Sequence, residues 1–188
     1  MFWYAVRMAT FDLVDTTRKY LAVIVIGGST LRNQGEGTVR RVQDYLLDSV
    51  NLANLATKHA SAARYGAWLD GHTDRLLAAI GGKHRPWGTA RKAMNMFVRA
   101  CICNHHLRER FDLGRLEPVA EMPLDSVSAK ALKVFAGRGG LPQWPGLRGL
   151  RKPESDRFQR YAAERTVLIG ATARIYLDFA LWVENRAK

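Results

Sequence analysis

Apolar residues recur every three or four positions along most of the chain, the spacing of helices that bury one face. Val39, Val42, Leu46 and Val50 form such a face with arginines opposite, which predicts a helix from Val39 to Leu52. Helices are expected to continue from Ala60 to Ile80, with Trp68, Leu69, Leu76, Leu77 and Ile80 as core positions. Ala93, Met96, Phe97, Ala100 and Cys101 make a stripe on a further helix, for which Thr89 is the candidate cap. Asp125-Ser126 is a start signal for a short helix from Val127 to Phe135. Two more helices close the chain, the last carrying Ile175, Leu177, Leu181 and Trp182.

The remaining stretches are less regular. Phe2 to Leu13 alternates unevenly and reads as a short strand or an extended arm over residues 1–14. A helix is predicted to start near Asp15-Thr16-Thr17, whose side-chain oxygens can cap it, although the β-branched run Val23-Ile24-Val25-Ile26 equally suits a buried strand. Gly27-Gly28 weakens that segment and Asn33-Gln34-Gly35 breaks it. The loop Gly81-Gly82-Lys83-His84-Arg85-Pro86-Trp87-Gly88 combines turn formers with positive charge, and Leu113-Gly114 ends the central region. A second loop, Gly137 to Pro153, mixes glycine and proline with arginine and holds Trp144. With no internal repeat and no long linker, the expectation is one all-α domain over 1–188, with at most one short N-terminal strand.

Composition narrows the partner. The 188 residues hold 29 Lys+Arg against 17 Asp+Glu, a net charge of +12, and 47% are hydrophobic. That is a globular chain with a basic surface, and such an excess favours a polyanion, because neutralised phosphates release counterions. A charge that only keeps the protein soluble, or a ribosome-associated surface, is the alternative. The most apolar stretch, Leu21 to Ile26, is far shorter than the roughly twenty residues that span a bilayer, so no membrane partner is expected. Met1-Phe2-Trp3-Tyr4 lacks the basic start of a secretory signal. The two cysteines, Cys101 and Cys103, make no disulfide framework. A cytoplasmic, nucleoid-associated monomer is expected.

Three places can carry chemistry. The basic loop before the central helix resembles a phosphate site, with free N–H groups at the helix start and Gly81, Gly82 and Gly88 permitting close approach; the plainer reading is a solvated turn. If Thr89 caps, Lys92 is the third helical residue, where the helix end and Arg91 would disfavour its ammonium form and leave an amine nucleophile. Most lone lysines, however, are surface cations. Asp125 is a helix cap, or an acid placed to stabilise a developing positive charge. Cys101, Cys103, His105 and His106 invite a metal, but only Cys101 and His105 share a helix face, so no metal site is expected.

Arg91-Lys92-Ala93 opening a helix, followed 33 positions after the lysine by Asp125 in Glu121-Met122-Pro123-Leu124-Asp125-Ser126, resembles the helix-hairpin-helix DNA glycosylase superfamily. In that superfamily a lysine beginning a helix precedes a Pro-x-Asp motif. The segment Ile175-Tyr176-Leu177-Asp178-Phe179-Ala180-Leu181-Trp182 is similar to the closing helix of the archaeal 8-oxoguanine DNA glycosylases (AGOG type). Arg91 and Ala93 stand where that family has Gln and Thr. The resemblance covers the chain from about Leu21 onward and is concentrated in these three stretches.

The resemblance implies a base-excision repair enzyme, both DNA glycosylase and AP lyase, that removes an oxidised purine such as 8-oxoguanine through a lysine Schiff base, with no cofactor. It implies that Lys92 attacks the anomeric carbon and that Asp125 stabilises the cationic sugar and handles protons. It also implies that Asp178 and Trp182 line the pocket for the flipped base; their i,i+4 spacing puts them on one helix face. The partner would be double-stranded DNA with a damaged base, held through Lys83, Arg85, Gly88, Arg138, Arg148, Arg151 and Lys152. The alternative is a non-catalytic basic DNA-binding module on the same fold.

Overall fold

Helices form wherever the apolar period is strong, and the side chains of Asp12, Asn51, Ser61, Asn104 and Asp125 cap the starts of five of them. In the computed structural model, which describes residues 11–28, 30–31, 35–81 and 86–186, the order is α1 (Leu13–Val25), α2 (Thr38–Ser49), α3 (Leu52–His59), α4 (Ala62–Ile80), α5 (Trp87–Cys103), α6 (His105–Arg110), α7 (Ser126–Ala136), α8 (Gly146–Gly149), α9 (Lys152–Leu168) and α10 (Leu177–Arg186). Short 3₁₀ turns occupy Leu113–Leu116 and Arg174–Tyr176, and there is no strand among the described residues.

Several boundaries differ from the sequence expectation. Asp12, not the Asp15-Thr16-Thr17 cluster, caps α1: its carboxylate accepts from the amides of Val14 and Asp15 at 2.9 and 3.0 Å. Val23, Ile24 and Val25 lie inside that helix, so the strand alternative does not hold. Leu13 and Val14 are helical as well, and the rest of the expected N-terminal arm falls mostly outside the described residues. The single helix expected from Val39 to Leu52 is two, because Val50 is extended and Asn51 caps α3 through the Asn54 amide at 3.2 Å. The glycine-rich stretch after α7 contains α8, and Pro153 sits in the first turn of α9, where its missing N–H costs nothing. Asn104 ends α5 and caps α6, so Cys101 and His105 belong to different helices and do not share the face expected of them.

Two apolar clusters organise the molecule. The larger gathers α1 through α6 around Tyr65, Leu69, Leu76, Met94, Phe97 and Ile102. The smaller joins Met122 and Leu124 to Leu132 of α7, Phe158 of α9 and Leu177 and Leu181 of α10. The α5 helix is buried over most of its length and packs against α1, α2, α4, α6, α8 and α9. A helix enclosed in this way presents its few polar residues to fixed neighbours. Among the described residues no helix is long and apolar enough to cross a membrane.

Candidate functional site

The α5 helix begins one turn earlier than Thr89 would dictate. Pro86 is its cap and makes no side-chain cap bond, so Thr89 is the third helical residue and Lys92 the sixth. Lys92 is therefore beyond the first turn, where the helix dipole acts most strongly. Arg91 does not crowd it either: its guanidinium turns away to Glu121 and Asp70.

Lys92 points instead at the start of α7. Its Nζ lies 3.3 Å from Oδ2 of Asp125, with side-chain exposures of 14% and 18%, so the pair is recessed but reachable. The other oxygen of Asp125, Oδ1, accepts from the amides of Val127 and Ser128 at 2.9 and 3.0 Å. The Asp125 amide in turn donates to Ser128 Oγ at 2.9 Å, completing a capping box. Burial works against the charged carboxylate, but the Lys92 ammonium and the Ser128 and Val127 amides outweigh it and hold Asp125 below the ordinary carboxylate value.

This pair opens on a cavity of about 1120 Å³. Asp178 and Trp182 of α10 line the same space, as do Trp144, Met96 and Arg99. Asp178 is ion-paired with Arg99, whose guanidinium also lies 4.6 Å from the Phe179 ring centre. Burial pushes Asp178 above its ordinary value despite Arg99, and the nearby Asp125 charge adds to that rise. Met96 faces this cavity rather than the core, a departure from the apolar stripe in which its spacing placed it. Four residues singled out in the sequence, Lys92, Asp125, Asp178 and Trp182, thus share one recess.

No protein-family model, no curated protein and no solved structure matches the chain.

The basic residues divide. Arg148 lines the cavity from α8, and Arg138 and Arg151 are exposed. Lys152 is engaged with carboxylates, 3.0 Å from Asp156 and 3.4 Å from Asp70, which reduces the charge it offers to a phosphate. Lys83 and Arg85 lie outside the described residues. Gly88 is buried, and a Cβ there would come within 2.5 Å of the Leu147 carbonyl oxygen and 2.7 Å of Leu150 Cβ. Its missing side chain permits close packing of α8 on α5.

Sequence reasoning missed Arg99, although a signal was present. Arg99 stands seven positions after Lys92, two turns along the same face, with Met96 between them. It also missed that Arg91 and Glu121 form a buried ion pair, which depends on segments far apart in the chain.

An amine beside a carboxylate in a recess can form a carbon–nitrogen bond with an electrophilic carbon while the acid moves the proton and steadies positive charge. The aromatic rings of Trp144 and Trp182 give that recess flat apolar surfaces. Arg99 and Asp178 supply donors and acceptors beside them.

Proposed function

We propose that the chain is a base-excision DNA glycosylase of the helix-hairpin-helix type with an associated lyase step, acting on duplex DNA that carries an oxidised purine such as 8-oxoguanine. What supports this reading most directly is the 3.3 Å approach of Lys92 to Asp125 on the wall of a cavity that Asp178 and Trp182 also line. The net charge of +12 agrees with a phosphate-rich partner.

In this reading the damaged nucleotide is extruded into the cavity, since the target atom is unreachable inside a stacked duplex. Lys92, having passed a proton to water, attacks C1′. The nitrogen–carbon bond forms as the bond from C1′ to the base breaks, and the bonding pair leaves with the base, which takes up a proton. The Asp125 carboxylate stabilises the positive charge that develops on the sugar. Loss of a proton from nitrogen and opening of the sugar ring give an imine, and removal of a C2′ proton then expels the 3′ phosphate. Asp178 accepts a hydrogen bond from the base and Trp182 stacks on it.

One observation favours a second reading, a non-catalytic DNA-binding module: Oδ1 of Asp125 is committed to an ordinary helix cap at the start of α7. Borohydride trapping on duplexes bearing a panel of oxidised purines separates the two. The glycosylase reading expects a covalent adduct with the parent protein and none with Lys92→Ala, which should still bind the duplex. Nicking at the parent rate by Lys92→Ala would remove Lys92 from the chemistry, and absence of any adduct across the panel would leave the binding module.

A further inference from the structure

The segment from Val119 to Asp125 has no regular structure in its extended part, yet side chains hold it on both sides. Arg174 donates Nε to the Ala120 carbonyl at 2.9 Å and Nη2 to the Val119 carbonyl at 2.8 Å. Gln159 of α9 accepts from the Met122 amide at 3.0 Å and donates to its carbonyl at 2.7 Å, as a neighbouring strand would. Between these holds, Glu121 turns toward α5. Arg91 donates Nε to Oε2 at 2.9 Å and Nη2 to Oε1 at 2.7 Å, and Asn95 donates to Oε2 at 3.1 Å. The remaining Arg91 nitrogen, Nη1, reaches Asp70 at 2.7 Å and Thr73 Oγ1 at 3.2 Å. Arg91 is 2% exposed and Glu121 7%.

Arg91 immediately precedes Lys92, and Glu121 stands four residues before Asp125. Taking two charges out of water is costly, and in proteins generally a buried ion pair often adds no more stability than apolar residues of the same volume. What a planar guanidinium against a carboxylate adds is direction: two parallel bonds fix both distance and angle. We propose that Arg91 and Glu121 are positioning residues, whose two-pronged buried pair sets the spacing of α5 against the Glu121–Asp125 segment and so holds Lys92 beside Asp125.

The inference rests on Lys92 and Asp125 being the reactive pair, and its test separates the two ideas. Glu121→Gln keeps the shape but removes the charge, and Arg91→Lys keeps the charge but removes the fork. Well below their unfolding temperatures, both variants should lose about a hundredfold in single-turnover adduct formation, the cost of a misplacement near 1 Å, with duplex affinity within twofold of the parent. The titration of the Asp125 carboxyl, followed by carbon NMR, should move up toward its ordinary value as Lys92 withdraws. If a single variant does not fold, Arg91→Met with Glu121→Met leaves no unpaired charge in the pair and should show the same two changes. A folded variant with the parent's turnover and the parent's Asp125 titration would overturn the proposal. A parent that forms no adduct on any lesion would sink the catalytic reading alone, and the Asp125 titration would still decide whether the clamp positions the pair.

Discussion

Asp125 divides its two carboxylate oxygens between two tasks: Oδ1 caps α7 through the Val127 and Ser128 amides, and Oδ2 faces the Lys92 ammonium at 3.3 Å. The cap fixes the carboxylate, and the fixed carboxylate gives Lys92 a partner that cannot swing away. A residue used as a cap is therefore not excluded from chemistry; here the cap is what orients it.

The two tasks separate by mutation. Asn caps as well as Asp, so Asp125→Asn should keep α7 and lose about 1 kcal/mol at most, largely because an amide replaces the charge beside Lys92. Its turnover on lesion DNA should fall by about two orders of magnitude. Ser128→Ala removes the other half of the capping box, and should cost about 1 kcal/mol while turnover stays within a few-fold of the parent. Denaturant melts and single-turnover rates on both variants test this. Proportional loss of stability and rate in both would make Asp125 a cap and nothing more.

Gly88→Ala tests whether this glycine serves packing or phosphate. The added Cβ meets the Leu147 carbonyl and Leu150 Cβ, and backbone cannot yield as a flexible side chain would. The expected outcome is a loss of about 1–3 kcal/mol, as for an overpacked core site. Duplex affinity of the folded variant should match the parent at low temperature. A variant of unchanged melting temperature that binds DNA poorly would restore Gly88 to the phosphate site.

The long, strongly periodic helices were legible, because Leu69, Leu76, Ala93 and Phe97 repeat on one face whatever their neighbours do. Boundaries were not, where the true cap lay a turn before the expected one, as Asp12 does before Asp15, or where the cap was Pro86 and left no side-chain signature. That single shift moved Lys92 from the third helical position to the sixth and changed the expected electrostatics. The partition of charge was hidden for a different reason. Whether Arg91 and Lys152 face solvent or carboxylates depends on Glu121, Asp70 and Asp156, and only tertiary packing brings Glu121 and Asp70 to them. The meeting of Lys92 with Asp125 was expected from the resemblance, since no periodicity links positions so far apart.

Acid sensitivity should trace in part to His72. His72 is 6% exposed, its Nδ1 lies 2.9 Å from the Tyr45 hydroxyl, and the Trp68 ring packs on it with ring centres 4.6 Å apart. Burial, together with the positive charges of Arg75 and His59, lowers it from 6.5 to about 4. Between those values the unfolded chain takes up a proton that the folded chain refuses. The stabilisation is complete above pH 6.5 and drains away as pH falls toward 4, with a limiting slope of about 1.4 kcal/mol per pH unit for one proton. Asp125, held low, loses its contribution at still lower pH, whereas Asp178, held high, contributes in acid and loses that contribution as pH rises. Urea melts of the parent and His72→Gln from pH 7 to 4 isolate the histidine, and the variant should show the shallower slope. Identical slopes would show that His72 titrates alike in both states.

The grip on the partner should depend on the arginines that remain uncommitted to carboxylates. Arg148 lines the cavity and Arg151 is exposed just before α9, whereas Lys152 shares its charge with Asp156 and Asp70. If the first two contact phosphates, affinity for undamaged duplex should fall steeply with salt, with a log–log slope of about −0.9 per phosphate neutralised. Arg148→Ala with Arg151→Ala should make that slope shallower by about two units, and Lys152→Ala should change it by less than one. Preference for lesion over normal DNA should survive the double variant, because phosphate contacts hold the duplex without reading its bases. An unchanged slope with lost lesion preference would instead make Arg148 a reader of the base, which its place on the cavity wall permits. Duplex binding indifferent to salt in the parent would remove nucleic acid as the partner, and the +12 charge would then be a solvated surface.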